Sequence, residues 1–422
     1  RSGSFSVNAA EGFYYCFGCH AKGDAITFVR ETQHLDFMEA VEFLAGRAGI
    51  ELQHDEQNGA ARQQRKRFLE VMDKAVEWYH EQLLTSPEAG PARNYLRSRG
   101  YTGETVRRFK LGWAPDSWDA LTKALNLSAK DLDGTGLGFV NSRGNRQDAL
   151  RARIIFPIFD TSNHAIAVGG RILPTSDPSV RPEAKYKNSP ETPIYSKRRT
   201  LYALNWAKDD VVKKNEIIVC EGYTDVIAFF EAGFPRAVAT CGTSLTEDHF
   251  KTMRNFAHRI VLAYDGDSAG QNAAASVYQW EHQFDAEVVV ARFPEGVDPA
   301  ELAQSNPEAL GEALSNAVPF LQFRLERVLA SANFSTPESR ARAAEAALSV
   351  VAEHPSDLVR DQYLQAVADR CRMDVESLRP RLSAVRRGAS AQPARESLAP
   401  RSDAPDYMAY KPCLLYTSPS PR

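Results

Sequence analysis

The sequence predicts an α/β protein whose central domain is a doubly wound parallel sheet. Three short apolar runs, at 216–220, 260–264 and 287–291, alternate with helical patterns at 226–232 and 269–280. Continuous runs of this length, rich in β-branched residues, are typical of parallel strands covered on both faces. Each run leads into a turn that carries a carboxylate. The sequence therefore predicts that acidic side chains gather along one edge of this sheet.

The acids that follow these runs are Glu221, Asp265, Asp267 and Asp298. Doubly wound sheets bind ligands outside the carboxyl ends of their strands. Carboxylates held together repel one another unless cations neutralise them, and Mg²⁺ prefers oxygen ligands of this kind. Any one Asp-Gly pair is better explained as a turn, and any one acid as a helix N-cap. Acids at several equivalent strand ends favour a magnesium site, with Mn²⁺ as the alternative ion.

Length and composition limit the class of protein. The chain has 422 residues, 43% hydrophobic and 25% charged, with a net charge of −3. These values predict a soluble globular protein of about two or three domains. No signal peptide or transmembrane span is evident, so we expect a cytoplasmic protein with no membrane partner. Among the cysteines, only Cys16 and Cys19 have metal-ligand spacing, which predicts zinc.

A basic segment precedes the predicted sheet. Residues 141–200 contain eleven Arg or Lys against five acids, interleaved with Tyr186 and Tyr195. Cations that contact phosphates, combined with aromatic rings that stack on bases, are what single-stranded nucleic acid requires. A solvated basic surface is the alternative interpretation. We favour a nucleic-acid surface because the cluster lies immediately before the predicted metal site.

Several motifs resemble known sequences. The pairing of EGYTDV at 221–226 with YDGDSAG at 264–270 resembles the Toprim domain. The flanking motifs resemble bacterial replicative DNA primases of the DnaG family over most of residues 1–380: CFGC at 16–19, LGFV at 137–140, RARIIFPIFD at 151–160, GGRIL at 169–173, KYKNSPET at 185–192 and YSKRRTLYAL at 195–204. The resemblance implies a Toprim Rossmann-like parallel sheet, a mixed α+β basic subdomain before it, a helical bundle after it and a small zinc-ribbon-like remnant at the N-terminus.

The resemblance also implies a function. It predicts a nucleotidyltransferase of the primosome that makes short RNA primers on a single-stranded DNA template from ribonucleoside triphosphates. The four acids would be catalytic metal ligands, and Glu221 would be either a general base or a metal-bound positioning group. By resemblance, the residues at template- and nucleotide-binding positions are Arg151, Arg153, Arg171, Lys185 and Lys197. At the third strand end Ala300 stands where many primases have Asp, and we expect water rather than Glu301 to replace that ligand.

We expect six segments: a zinc-binding remnant at 1–52, a linker at 53–67, the basic part of the catalytic core at 68–212, the Toprim domain at 213–300, a helical bundle of the core at 301–380, and a disordered tail at 381–422. The family's first pair of zinc ligands is expected to be missing. We also expect the domain that binds the replicative helicase to be absent, and residues 413–422 resemble translated adapter sequence.

Two other functions stay open at this point. One is a Toprim topoisomerase or nuclease. A topoisomerase would need a nucleophilic tyrosine, and neither Tyr223 nor Tyr264 has a surrounding pattern that assigns it that role. A recombination mediator would use the Toprim sheet only as a binding platform. The intact Glu221, Asp265 and Asp267 argue against that second alternative.

Overall fold

The computed structural model describes residues 4–9, 12–18, 21–33, 37–50, 56–174, 184–264, 274–294 and 296–390. The chain divides into two compact units. The first comprises Arg1–Ser331 with Glu353–Pro355, and the second comprises Ala332–Ala352 with Ser356–Arg422. None of the helices in the described ranges combines the length and the apolar character that crossing a membrane requires.

A small antiparallel sheet opens the first unit. Its strands and the helices that follow are β1 (Phe5–Asn8), β2 (Phe13–Cys16), β3 (Lys22–Asp24), α1 (Ala25–Gln33) and α2 (Phe37–Ala48). Tyr14 is buried because its ring packs against Phe5 and Phe28, with centroid distances of 5.4 and 5.3 Å. Apolar residues between Gly23 and Gly49 recur at helical spacing, and this segment forms α1 and α2.

Helix α3 (Glu56–Thr85) covers most of the segment in which we expected a linker, at 53–67. That expectation is wrong from Glu56 onward. Glutamine, arginine and lysine are good helix formers, so a polar composition does not by itself prevent a helix. A tertiary contact also fixes the segment, because the guanidinium of Arg67 donates two hydrogen bonds, of 2.7 and 2.8 Å, to the carboxylate of Asp131.

The basic subdomain follows α3 and is built on an antiparallel sheet of order β4-β7-β8-β9. Its elements are a 3₁₀ turn (Pro87–Ala89), α4 (Gly90–Ser98), α5 (Gly103–Arg108), β4 (Gly112–Ala114), α6 (Ala120–Ala124), α7 (Ala129–Thr135), the hairpin β5 (Gly138–Val140) and β6 (Arg146–Asp148), β7 (Arg153–Phe159), β8 (Ala165–Ile172) and β9 (Tyr186–Asn188). Alternate residues of β7 belong to two apolar clusters: Ile154 and Phe156 to one, and Ile155 to the cluster that contains Phe68 of α3. This sheet is therefore covered on both faces.

The central sheet has six strands in the order β10-β12-β11-β13-β14-β15. Its elements and the helices around it are β10 (Leu201–Tyr202), α8 (Leu204–Lys214), β11 (Glu216–Cys220), α9 (Tyr223–Glu231), β12 (Ala237–Thr240), α10 (Glu247–Arg254), β13 (Arg259–Ala263), α11 (Ala274–Phe284), β14 (Glu287–Val290), α12 (Pro299–Ser305), α13 (Pro307–Ser315), β15 (Val318–Pro319) and α14 (Phe320–Ala330). The four inner strands are parallel and the two edge strands are antiparallel. The predicted doubly wound sheet is confirmed, with β12 as an inner strand that the sequence analysis did not identify.

A close approach at Gly169 holds the basic subdomain against the central sheet. A Cβ atom at Gly169 would lie 2.5 Å from the ring of Tyr223, at the start of α9, and 2.9 Å from Oδ1 of Asn188. The Tyr223 hydroxyl donates to that same Oδ1 at 3.0 Å, and Asn188 Nδ2 donates to the Cys241 carbonyl at 3.0 Å. Any side chain at Gly169 would separate β8 from α9, so this glycine is required by packing.

The second unit contains the helices α15 (Pro337–Ala352), α16 (Asp357–Cys371) and α17 (Val375–Ser390). Helices α12–α14 belong to the first unit, so the single helical domain expected at 301–380 is divided. Similar alanine- and leucine-rich periodicity on both sides of the division explains why the sequence analysis treated it as one bundle.

Helix α17 continues through Pro380 to Ser390. The expectation of disorder from 381 is therefore wrong for residues 381–390, while 391–422 lie outside the described residues. Leu378 and Leu382, one helical turn apart, are only 3% and 8% exposed. Burial of these side chains favours a continuous helix despite the backbone hydrogen bond that a proline removes.

Candidate active site

The carboxyl ends of β11 and β13 lie side by side at one edge of the central sheet. In the parallel register, Cys220 pairs with Ala263, and these are the last residues of the two strands. Glu221 and Tyr264 therefore follow at the same level. Strand β14 continues the register on the other side of β13, where Leu262 pairs with Val290. The sheet edge that the sequence predicted is present.

Glu221 is exposed at this edge and acts electrostatically on its neighbours. Burial raises the pKa of Tyr264, and the nearby Cys220 and Glu221 raise it further. Burial likewise raises the pKa of Cys220, and the charges of Asp225 and Glu221 add to that rise. The parallel register places Glu221 directly after β11 and beside the end of β13.

Asp265 and Asp267, which follow Tyr264 in sequence, lie outside the described residues. Within the described ranges, no three His, Cys, Asp or Glu side chains form a group that could hold a metal ion. The metal-binding roles of Asp265 and Asp267 stay predictions.

Asp298 begins helix α12 as its N-cap. Its backbone is extended, with φ −68° and ψ 126°, and Pro299 follows in the first turn. Its Oδ1 accepts hydrogen bonds from the backbone N–H groups of Ala300 and Glu301, at 2.7 and 3.3 Å. Oδ2 makes no hydrogen bond to any described residue. Pro299 biases the residue before it toward an extended backbone, and Asp298 has that conformation together with a structural role in capping α12.

The carboxylates of Glu221 and Asp298 fit a hard divalent ion in their donor chemistry. Glu221 presents an exposed carboxylate, and Asp298 keeps one oxygen outside its capping interaction. Mg²⁺ is typically held by one or two carboxylates together with water and phosphate oxygens. A third acid, Asp225, accepts a hydrogen bond from the Gly222 backbone at 2.9 Å and so closes the first turn of α9.

Of the two cysteines that are predicted to bind zinc, the structure describes only Cys16. Cys16, at the end of β2, is half-buried, and its Sγ lies 3.9 Å from the Ser4 hydroxyl. Cys19 lies outside the described residues.

Two of the five predicted nucleic-acid-binding cations are buried. Arg153 is 3% exposed, and its guanidinium donates to the carbonyls of Gly170 and Ala184 at 3.3 and 3.1 Å. Arg171 is 7% exposed, and its Nη1 donates to the Tyr186 hydroxyl at 2.6 Å. Both side chains are held by the basic subdomain itself, which limits their contact with a ligand.

The other three cations are more accessible. Arg151 lies over the ring of the exposed Trp118, with its guanidinium carbon 3.4 Å from the ring centroid. Lys185 is exposed. Lys197 is half-buried, and its backbone N–H donates to Glu191 at 2.7 Å. The stack of Arg151 on Trp118 keeps a cation and an aromatic surface together, as nucleic-acid contacts require.

Sequence reasoning missed two residues beside Arg171. Its guanidinium lies 5.0 Å from the ring centroid of Tyr95, a residue of α4. Burial raises the pKa of Tyr95, while the positive charges of Arg171 and Arg99 oppose that rise. The hydroxyl of Tyr95 and the Nε atoms of Arg99 and Arg171 are buried with no hydrogen-bond partner among the described residues. Neither residue gave a sequence signal, because Tyr95 lies inside α4 and Arg99 caps the end of α4 before Gly100, as an ordinary helix end does.

Comparison with known protein families gives four matches. The description "DNA primase catalytic core, N-terminal domain" matches residues 78–208 and "Toprim-like" matches 218–303. "CHC2 zinc finger" matches 1–60, and "DnaB-helicase binding domain of primase" matches 321–376. The zinc-finger and Toprim-like matches fit zinc and magnesium in general terms.

Whole-chain comparisons agree with these matches. A DNA primase of Streptomyces coelicolor is 39% identical over 364 residues, which are 83% of this chain and 56% of that protein. The structure is similar to the RNA polymerase domain of a Mycobacterium tuberculosis primase, which was solved with a double-stranded DNA oligomer that has a 6-nucleotide overhang. The two chains are 31% identical with a TM-score of 0.64, and the match covers 72% of this chain and 97% of that one. A primase catalytic domain bound to single-stranded DNA is 31% identical with a TM-score of 0.61, covering 75% and 100% of the two chains. The chain spans 55% to 64% of the lengths of the curated relatives that it matches.

The match at 321–376 corrects one expectation. We expected the helicase-binding domain of the family to be absent, and that expectation is wrong. The sequence analysis assigned all of 301–380 to the catalytic core because the helical periodicity of the two domains is alike. The matched segment includes most of α14 as well as α15 and α16.

Proposed function

Because the chain belongs to the DnaG family of bacterial DNA primases, we propose that it synthesises short RNA primers on single-stranded DNA. The reaction is nucleotidyl transfer, in which a 3′ hydroxyl attacks the α-phosphorus of a ribonucleoside triphosphate and pyrophosphate leaves. The observation that carries this proposal is the sheet edge, where Glu221 follows β11 beside the end of β13. This is where doubly wound sheets bind phosphorylated ligands.

Magnesium, or manganese, is the ion that we propose for this edge. The residues that would hold it are Glu221, Asp265, Asp267 and Asp298. Bound there, the ion supplies charge neutralisation for the phosphates and for the attacking oxygen. Asp298 orients its free Oδ2 by fixing Oδ1 on the first turn of α12. Glu221 stays accessible to solvent and substrate, as a general base or a positioning group requires.

The basic subdomain would hold the template and the incoming nucleotide. Lys185, Lys197 and Arg151 are accessible enough to contact phosphates. Arg153 and Arg171 are proposed here as positioning residues, since their guanidinium groups are used by protein acceptors. They would keep β7, β8 and β9 in register beneath the bound strand.

The topoisomerase alternative is disfavoured by the tyrosines at the sheet edge. Tyr223 is 3% exposed, and its hydroxyl donates to Asn188. Burial raises the pKa of both Tyr223 and Tyr264. A strand-cleaving tyrosine must reach a phosphodiester and lose its proton readily, so neither residue suits that chemistry.

Three further parts of the proposal concern partners and location. The segment at 321–376 would bind a replicative helicase, and Leu358, 81% exposed on α16, is a candidate apolar contact. Cys16 and Cys19 would supply two of the ligands of a zinc ion. A cytoplasmic location is proposed because the relatives are replication proteins.

The test is incorporation of labelled ribonucleotides on single-stranded DNA, with and without magnesium. We expect short, alkali-sensitive products that require both the template and the metal. Asp267→Ala should remove them, whereas Glu287→Ala, at an exposed acid that begins β14 at the amino end of the parallel strands, should not. Absence of template-dependent RNA from the parent chain would contradict the proposed function.

A further inference from the structure

A second cavity lies outside the candidate active site, between the first half of α3 and the segment that joins α6 to α7. Its volume is about 780 Å³. Sites for small organic ligands commonly measure about 300–1,000 Å³. None of the residues that line this cavity belongs to the central sheet or to the predicted template-binding set. We refer to it as the α3 cavity.

One side of the α3 cavity is apolar. Val71 of α3 faces Leu125 and Leu127 of the connecting segment, and these three residues are called the apolar wall. Val71 and Leu125 are half-buried, while Leu127 is 3% exposed. The amides of Gln63 and Gln64 also line the cavity. An apolar surface with amide groups beside it suits a planar, hydrogen-bonding ring such as a nucleobase.

The α3 cavity also has a cationic lining. Lys66 and Lys74 of α3 and Lys130 of α7 line the cavity and are exposed; they are called the lysine rim. Glu70 lies four residues from both Lys66 and Lys74 and also lines the cavity. Even so, no ion pair within 4.0 Å joins any of these lysines to an acid among the described residues. Three ammonium groups therefore face a shared space without a protein partner in the described part of the chain.

A guanidinium is fixed beside the lysine rim. Arg67 donates through Nε and Nη2 to the two oxygens of Asp131, at 2.7 and 2.8 Å. Its Nη1 makes no hydrogen bond to a described residue. The Asp131 side chain is 4% exposed, so the fork is anchored in the protein. A rigid guanidinium with one free nitrogen adds a directed donor to the three mobile ammonium groups.

We propose that the α3 cavity binds a nucleoside polyphosphate, with its phosphate chain among the lysine rim and its base against the apolar wall. Lys66, Arg67, Lys74 and Lys130 outnumber Glu70 and Asp131, so the lining carries a positive balance for an anionic ligand. The cavity is partly open to solvent, and its volume suits one small molecule. This binding is independent of the metal edge.

The test is calorimetric titration of the full chain with ATP in EDTA, which keeps metal-dependent binding at the sheet edge out of the measurement. We expect saturable binding. The double substitution Lys74→Gln with Lys130→Gln should lower the affinity about tenfold or more, since each charged contact to a phosphate is lost. Lys123→Gln is the matched control, because Lys123 lies on α6 outside the cavity and pairs with Asp119 at 3.0 Å.

Three results would overturn the proposal. The first is an affinity for ATP in the double variant that equals that of the parent. The second is binding of inorganic triphosphate as tightly as ATP, which would leave the apolar wall without a role. In the third, the double variant loses affinity for an oligothymidylate but not for ATP, which would assign the lysine rim to nucleic acid. Primer synthesis measured on the same variants separates failure of this proposal from failure of the proposed function.

Discussion

The acids at the sheet edge and the arginines of the basic subdomain differ in how the fold uses them. Glu221 is exposed beyond β11, and Asp298 keeps one carboxylate oxygen free of described partners. Arg153 and Arg171 are nearly buried, and carbonyl and hydroxyl groups of their own subdomain accept their hydrogen bonds. Both sets come from motifs of the same family. A family motif alone therefore does not distinguish a residue that contacts the substrate from a residue that stabilises the structure of the binding surface.

Among the residues that the structure describes, the largest effect is expected at Asp298, where a structural and a chemical role coincide. Asp298→Asn keeps an N-cap for α12 but removes a charged metal ligand, so primer synthesis should fall about a hundredfold. Asp298→Ala should lose as much activity and, in addition, about 1 kcal/mol of stability from the missing cap. Glu301→Ala should change activity only a few-fold, measured at saturating magnesium.

Two outcomes would contradict that assignment. Parent activity in Asp298→Asn would reduce Asp298 to a helix cap. Equal losses in Asp298→Asn and Glu301→Ala would place Glu301 among the metal ligands as well.

The second prediction separates the buried cations from the exposed ones. Arg171→Met should lower the free energy of unfolding by about 2 kcal/mol, because the Tyr186 hydroxyl loses a charge-assisted hydrogen bond inside the protein. Lys185→Met should leave stability unchanged, yet lower the slope of single-stranded DNA affinity against salt by about one. Urea unfolding and filter binding over a salt series measure the two quantities. If the two variants behaved alike in both assays, the distinction drawn from burial would fail.

The smallest expected effect concerns the ion pair beneath the α3 cavity. Hydrogen bonds from Arg67, and to a smaller extent from Ser128, lower the pKa of Asp131 from 3.8 to about 2. Because the pKa is lower in the folded state, the pair stabilises the fold above the unfolded-state value and loses that contribution as pH falls toward 2. The difference in free energy of unfolding between the parent and Asp131→Asn should therefore be largest near neutral pH and shrink below pH 4. Urea unfolding across this range measures it, and a difference independent of pH would contradict the pair's role.

The sequence was most informative where one physical signal dominates. Strands β11, β13 and β14 are continuous β-branched runs, and all three were predicted. Strand β12 (Ala237–Thr240) has only four residues, two of them alanine, and gives no comparable signal. The first part of helix α3 was predicted to be a linker, because its polar composition alone does not reveal the tertiary contacts that fix it as a helix. The helix through Pro380 was missed because proline usually ends a helix.

The candidate site was predictable to a similar extent. The alternation of strands and helices alone placed Glu221 at the end of β11. Asp298 lies instead at the N-cap of α12, beyond Val290, the last residue of β14. The burial of Arg153 could not, because arginine is exposed in most sequences and its carbonyl partners come from distant positions. Tyr95 and Arg99 were missed because they approach Arg171 only through the packing of α4.

The central claim is that the carboxylates at the sheet edge perform the chemistry while the basic subdomain holds the nucleic acid. Primer synthesis and single-stranded DNA binding, measured on the same preparation of Asp267→Ala, test it most directly. We expect synthesis to fall by about a hundredfold or more while the Kd for single-stranded DNA stays within about twofold of the parent. Synthesis at the parent rate, or a loss of DNA binding equal to the loss of synthesis, would contradict the claim.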